Sequence, residues 1–182
     1  MSDLIKKSIL MDASAVQRAL IRIAHEVVEK NKGLEDLCLI GIQRRGVPMA
    51  ERIAKHLEEI EGVSPPVGIL DITFYRDDLS QLASHPILNG TDIPFDINNK
   101  NIVLIDDVLY TGRTVRAAIE SIFDRARPKM IQLAIMIDRG HRELPFRADF
   151  VGKNVPTSTT ESIHVELTEI DGVDQVLLYG GE

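Results

Sequence analysis

Two adjacent aspartates, Asp106 and Asp107, follow an apolar run, Ile102-Val-Leu-Ile105, and precede Thr111, Gly112 and Thr114. After these, Val115 to Phe123 carries the three-and-four spacing of a helix with one buried face. The arrangement predicts a buried strand, a ligand loop and a helix start. A helix start offers unpaired backbone N–H groups and the positive end of its dipole, and with two threonine hydroxyls beside it this suits a phosphate. Carboxylates turned on the same phosphate would repel it, so the two aspartates are expected to accept hydrogen bonds from sugar hydroxyls or to face a divalent cation. Asp106-Asp107-Val108-Leu109-Tyr110-Thr111-Gly112-Arg113-Thr114 therefore describes its ligand as a phosphorylated sugar. Neither the Gly-x-x-x-x-Gly-Lys-Ser/Thr pattern of a nucleotide P-loop nor the Gly-x-Gly-x-x-Gly of a dinucleotide fold is present.

The elements that must hold this stretch repeat its plan. Leu37 to Ile42 is continuously apolar, as in a strand buried on both faces, and breaks into Gln43-Arg44-Arg45-Gly46 before Val47, Met49, Ala50, Ile53, Ala54 and Leu57 resume helical spacing. Met130 to Ile137 is a third apolar run, ending in Asp138-Arg139-Gly140-His141-Arg142. Three buried strands thus end in charged, glycine-bearing loops, and open α/β sheets bind ligands at the carboxyl ends of their strands. The expected fold is α/β, a central, mostly parallel sheet flanked by helices, in a single domain over residues 1–182.

Around this core, Ala15 to Val28 reads as a helix capped by Asp12 or Ser14, with Arg18, Ile21, Arg22 and His25 opposite its apolar face. Val67 to Arg76 reads as a strand burying Leu70, Ile72 and Phe74, and Asp77 to Thr91 as a long loop of the kind that closes over active sites. Glu143 to Thr160 lacks helical period and suits an irregular cap, and the segments about Asp171-Gly172 read as a hairpin.

Composition narrows the function classes. The 182 residues carry 21 basic and 28 acidic side chains, a formal charge of −7, which argues against a surface made throughout for nucleic acid. Arg139, Arg142, Arg147 and Lys153 against Glu143 and Asp149 nevertheless leave a local patch of net charge +2. With His141 and the Arg22–His25 helix face, that patch suits phosphates and RNA loops. The first residues lack the apolar centre of a signal peptide, no run is long enough for a membrane span, and the lone Cys38 has no intrachain partner. A cytoplasmic protein is expected.

The apolar strand, acid pair and Thr-Gly-x-Thr loop resemble the phosphoribosyl-pyrophosphate (PRPP) site of the type I phosphoribosyltransferases. The resemblance implies that Thr111 to Thr114 hold the 5′-phosphate, that Asp106 and Asp107 hold the ribose hydroxyls, and that Arg44, Arg45, Gly46, Arg76 and Arg139 serve the pyrophosphate. In that family an Arg-Gly pair follows the first core strand, often with a cis peptide, and Mg²⁺ is bound largely through substrate oxygens and water, with no dedicated protein cage. Asp106, Asp107 and Arg139 are the catalytic candidates. Purine-using members often have an acid where Tyr110 stands.

Arg22-Ile-Ala-His-Glu26, Asp71 to Asp78, Asp138 to Pro145 and Arg147 to Ser158 are together similar to the pyrimidine-operon attenuators that have uracil phosphoribosyltransferase activity. This likeness implies a small cap or hood, uracil as acceptor, UMP and pyrophosphate as products, and binding of pyrimidine-operon leader mRNA under control of UMP and UTP. Arg22, His25, His141, Arg142, Arg147 and Lys153 are the RNA candidates, and a homodimer or larger assembly is implied. Ile21 stands where the family often has threonine. A salvage enzyme without an RNA role, and an RNA-binding regulator with a vestigial site, are the alternatives.

Overall fold

A computed structural model of the chain describes residues 5–75 and 90–180. In chain order the elements are β1 (Ile5–Met11), α1 (Ala13–Asn31), β2 (Leu37–Ile42), α2 (Gly46–Glu61), β3 (Val67–Leu70), β4 (Asn101–Leu109), α3 (Arg113–Arg125), β5 (Met130–Asp138), β6 (Phe150–Asn154), β7 (Glu161–Glu166), α4 (Thr168–Asp171) and β8 (Gln175–Gly180). The core is a five-stranded sheet in the order β3-β2-β4-β5-β6, parallel throughout.

Continuous apolar sequence becomes buried strand because helices cover both faces. Leu37 and Leu39 pack with Val103 and Ile105 against α1 and α2, while Cys38, Ile40 and Ile42 pack with Ile102 and Leu104 against α3. Every residue of β2 is buried. In α1 the predicted apolar face, Val16, Ala19, Leu20, Ile23, Ala24 and Val27, is buried. Each large side chain there contributes about 1.5–3 kcal/mol. Asp12 accepts the Ala15 N–H at 2.8 Å and starts this helix, and Lys32, in the left-handed region, ends it.

Three elements depart from the sequence reading. The strand expected over Val67 to Arg76 stops at Leu70, because Asp71 Oδ1 accepts both the Thr73 N–H (2.9 Å) and the Thr73 hydroxyl (2.6 Å) and turns the chain into a short 3₁₀ segment. The segment read as irregular cap contains β6, which extends the core sheet beside β5. The cap is instead an antiparallel sheet in the order β1-β8-β7, built from both ends of the described chain. Much of the loop expected from Asp77 to Thr91, together with Arg76, lies outside the described residues.

Close backbone packing sets the front of the core. A Cβ on Gly41 would stand 2.5 Å from the Gly46 carbonyl oxygen, and a Cβ on Gly46 would collide with the Ile105 carbonyl. The turn between β2 and α2 therefore lies directly against β4 where the aspartates begin.

Candidate functional site

The carboxyl ends of β2, β4 and β5 meet at one edge of the core sheet, below the cap. On β4 the side-chain alternation slips at the acid pair. Ile105 and Val108 both pack toward α1 and α2, and Leu104 and Leu109 both toward α3. Within the slip each carboxylate accepts the next backbone N–H: Asp107 N–H to Asp106 Oδ1 and Val108 N–H to Asp107 Oδ1, both at 2.9 Å. The strand has begun to turn while still paired with β5. Asp106 is 7% exposed, whereas Asp107 lines an open cavity of about 250 Å³ shared with Arg45 and with Ile163, His164, Val165 and Glu166 of the cap.

Beyond Leu109, Tyr110 to Gly112 form the loop and α3 begins at Arg113. Gly112, at φ 95°, takes the N-cap position, which leaves no side-chain cap bond on the helix start. Thr111 Oγ1 accepts the Arg113 N–H at 3.3 Å. The loop is braced from behind by the chain after β5. Thr111 O accepts the Glu143 and Leu144 N–H groups at 2.9 and 3.0 Å, and the Arg142 guanidinium donates to Tyr110 O (2.7 Å), Phe146 O (2.9 Å) and Asp138 Oδ2 (2.7 Å). Arg113 is drawn outward to Glu143. This is a fixed loop at a helix start, open on its solvent side, the arrangement that receives an anion.

On the other side of the cavity the Gln43-Arg44 peptide is cis. Arg44 is exposed. Arg45 reaches the cap and donates through Nη2 to Asp171 Oδ1 at 2.8 Å and through Nε to Oδ2 at 3.3 Å. Partial burial pushes the Asp171 carboxyl up, but the bonds from Arg45 and from the Leu167 N–H outweigh this and hold it below the usual carboxylate range. Next to this pair, Arg52 of α2 donates to both oxygens of Glu169 and of Asp174 at 2.6–2.8 Å. Those bonds lower both carboxyls, Asp174 to about 2.

The remaining sequence candidates divide by neighbourhood. Arg139 does not sit as an exposed anion ligand: it is 7% exposed, donates to Thr157 Oγ1 (3.0 Å), Ser158 O (3.2 Å) and Glu161 O (2.7 Å), and stacks 4.0 Å over the Tyr110 ring. It joins the phosphate-type loop to the start of β7. His141 stands edge-on to Tyr110 and contacts Thr157 O. Arg22 donates to Val151 O and Gly152 O on β6 at 3.0 and 2.6 Å, and Lys153 to Leu10 O at 3.2 Å. His25 and Arg147 are exposed. The residues that the sequence did not single out are Glu166, Asp171 and the acids around Arg52. Their one signal was a hairpin rich in carboxylates, which does not say what it folds against.

Comparison with known proteins gives a consistent result. Residues 7–169 match the model of the phosphoribosyl transferase domain. The chain is 66% identical over 169 residues to the bifunctional protein PyrR of Caldicellulosiruptor bescii, covering 93% of each chain. It is 65% identical over 175 residues to the bifunctional protein PyrR of Acetivibrio thermocellus, covering 96% of this chain and 95% of that one. Among solved structures it is similar in fold to the hypoxanthine phosphoribosyltransferase of Trypanosoma cruzi, with a TM-score of 0.72 at 17% identity over 97% of this chain and 98% of that one. A hypoxanthine-guanine phosphoribosyltransferase of Bacillus anthracis matches with a TM-score of 0.73 at 17% identity, covering 95% and 98%.

Proposed function

The chain belongs to the phosphoribosyl transferase domain family and, within it, to the bifunctional PyrR proteins, and from that premise we infer that it converts uracil and PRPP to UMP and pyrophosphate and also regulates pyrimidine-operon expression by binding leader mRNA. The observation that carries the enzymatic half is that Asp107 of the acid pair and Arg45 of the arginine-bearing turn line one cavity, while the strand that bears Asp107 runs on into an anion-receptive helix start. In the reaction the bond from C1′ of PRPP to pyrophosphate breaks, its electron pair leaving with the pyrophosphate, and N1 of deprotonated uracil bonds to C1′. Positive charge grows on the ribose and negative charge on the leaving group, so catalysis requires both ends to be held while they separate.

In this reading Thr111 to Thr114 hold the 5′-phosphate, Asp107 faces the ribose from the cavity, and Arg44 and Arg45 meet the pyrophosphate. Asp106, nearly buried, serves by shaping the strand's turn, since it accepts the Asp107 N–H. Mg²⁺ would arrive on pyrophosphate oxygens and lower the leaving group's charge. Asp107 and Glu166, on the cavity wall, are oxygen donors of the kind such an ion takes directly or through water. Among the described residues no three histidine, cysteine or carboxylate side chains converge to hold a metal by themselves.

The regulatory half rests on the relatives and on the exposed basic residues. Arg147 and His25 are solvent-facing, and His141 and Arg142 lie on the loop that braces Tyr110 and Thr111, so RNA and nucleotide would meet the same loop from its two sides. One observation favours a salvage enzyme without an RNA role: Arg22 and Lys153 already donate to carbonyls of their own chain. Two assays on one preparation separate the readings. Labelled uracil should pass to UMP with PRPP and Mg²⁺, and a pyrimidine-operon leader transcript should be retarded in a gel more strongly with UMP present than without it. Turnover without retardation selects the salvage enzyme; retardation without turnover selects a regulator. Arg147→Glu should weaken RNA binding on the order of tenfold, because one phosphate contact becomes a repulsion, and leave turnover unchanged.

A further inference from the structure

We propose that Asp171, on the cap, is a positioning residue for Arg45: it holds the guanidinium at the cavity in the orientation that receives the pyrophosphate of PRPP. The inference rests on the phosphoribosyl-transfer reading and adds a residue to it.

Asp171 grips Arg45 along the Nε–Nη2 side of the guanidinium, at 3.3 and 2.8 Å. The Nη1 side is left for an anion, and an arginine fork can serve two partners at once. Asp171 is itself fixed, because its Oδ2 accepts the Leu167 N–H at 2.8 Å and its own N–H donates to Leu167 O at 2.7 Å. Arg45 lines the cavity with Asp107 and Glu166, the cavity in which the phosphoribosyl-transfer reading puts the leaving group. A long arginine stem loses rotamer freedom when it binds an anion, and a fixed partner removes that loss before the ligand arrives. Arg44 next to it is exposed, and its carbonyl accepts the Val47 N–H at 3.3 Å. Arg52 of α2 pairs with Glu169 and Asp174 and so joins that helix to the cap through different carboxylates, which makes it a control.

A nearby carboxylate that did nothing but repel pyrophosphate would, when neutralised, lower the KM for PRPP. A positioning carboxylate predicts the opposite sign. Steady-state kinetics on the full chain with uracil, PRPP and Mg²⁺ decide between them, with thermal unfolding followed for every variant. Asp171→Asn should raise the KM for PRPP on the order of tenfold while kcat and the KM for uracil stay within about twofold. UMP, which lacks pyrophosphate, should bind as in the wild type. Arg45→Lys, which cannot keep the two-bond grip, should give the same pattern, and this second variant answers the question if Asp171→Asn is poorly folded. Asp171→Asn should add nothing to Arg45→Ala. Asp174→Asn should lower the unfolding temperature and leave the KM for PRPP alone. A KM for PRPP that falls or is unchanged in Asp171→Asn and Arg45→Lys overturns the proposal. So does a parallel rise in both substrates' KM that Asp174→Asn reproduces. An inactive wild type would instead overturn the parent reading.

Discussion

The two halves of the candidate PRPP site are built in different ways. The phosphate half is a single run of chain, β4 into Tyr110–Gly112 into α3, and its braces come from the loop just after the next strand. The pyrophosphate half joins residues far apart in sequence: Arg45 is held by Asp171, 126 positions away, and the sheet carrying Asp171's neighbours is closed by the pairing of Ile5 with Gly180. A locally built half keeps its shape whenever the core sheet is folded. A half that depends on two chain ends is sensitive to how the cap sits, and the two should therefore respond separately to substitution.

The largest test of that separation replaces both Arg44 and Arg45 by alanine. Turnover should fall on the order of a thousandfold, since the leaving group loses its cationic contacts, whereas UMP affinity should change little. Thr114→Val, on the other half, should weaken PRPP and UMP together, by about tenfold each, as loss of a hydrogen bond to a charged group predicts. Equal losses of UMP affinity from both sets, read by calorimetry, would break the comparison.

Gly46→Ala probes the place where the halves touch. Its new Cβ would press on the Ile105 carbonyl, one residue before the acid pair, and the misfit should destabilise the fold by about 1–3 kcal/mol in denaturant unfolding. It should also weaken both PRPP and UMP, unlike the paired substitutions above.

The smallest expected effect is on pH. Asp174, its carboxyl lowered to about 2 by Arg52, is depressed relative to its unfolded value near 3.8. A depressed carboxyl contributes stability that is present above its unfolded pKa and is lost as pH falls through the folded one. The Arg52–Asp174 link should therefore be fully formed above about pH 4 and weaken between about pH 4 and 2. Asp174→Asn should flatten that part of the stability profile and leave neutral-pH turnover intact.

How far the sequence could be read follows the same division. The strand, acid pair, loop and helix of the phosphate half lie within one short stretch, so periodicity and turn chemistry disclosed them together. The slip at Asp106–Asp107 is not legible in that stretch, because a regular strand sends neighbouring side chains to opposite faces. The cap was legible only as a hairpin. β1 gives little pattern, with Lys6, Lys7 and Ser8 among its residues and only Met11 buried, because it is a strand made by pairing rather than by burial. β6 was hidden for a related reason: it is an edge strand with one sheet neighbour, and Arg22 from α1 donates to its Val151 and Gly152 carbonyls. Arg139 and Arg142 were readable as basic residues, but their hydrogen bonds to Thr157 and Tyr110 depend on a return of the chain that composition does not encode.

The central claim is that the acid pair and the loop after it form the ribose-5-phosphate side of a working transferase site. The most direct test is the initial rate of labelled uracil conversion to UMP, with PRPP and Mg²⁺, for the wild type and for Asp107→Asn. The account predicts a wild type that turns over and a folded variant whose kcat/KM is lower on the order of a hundredfold or more, since Asp107 is the member of the acid pair that lines the cavity. A folded Asp107→Asn variant with the wild-type rate would contradict it.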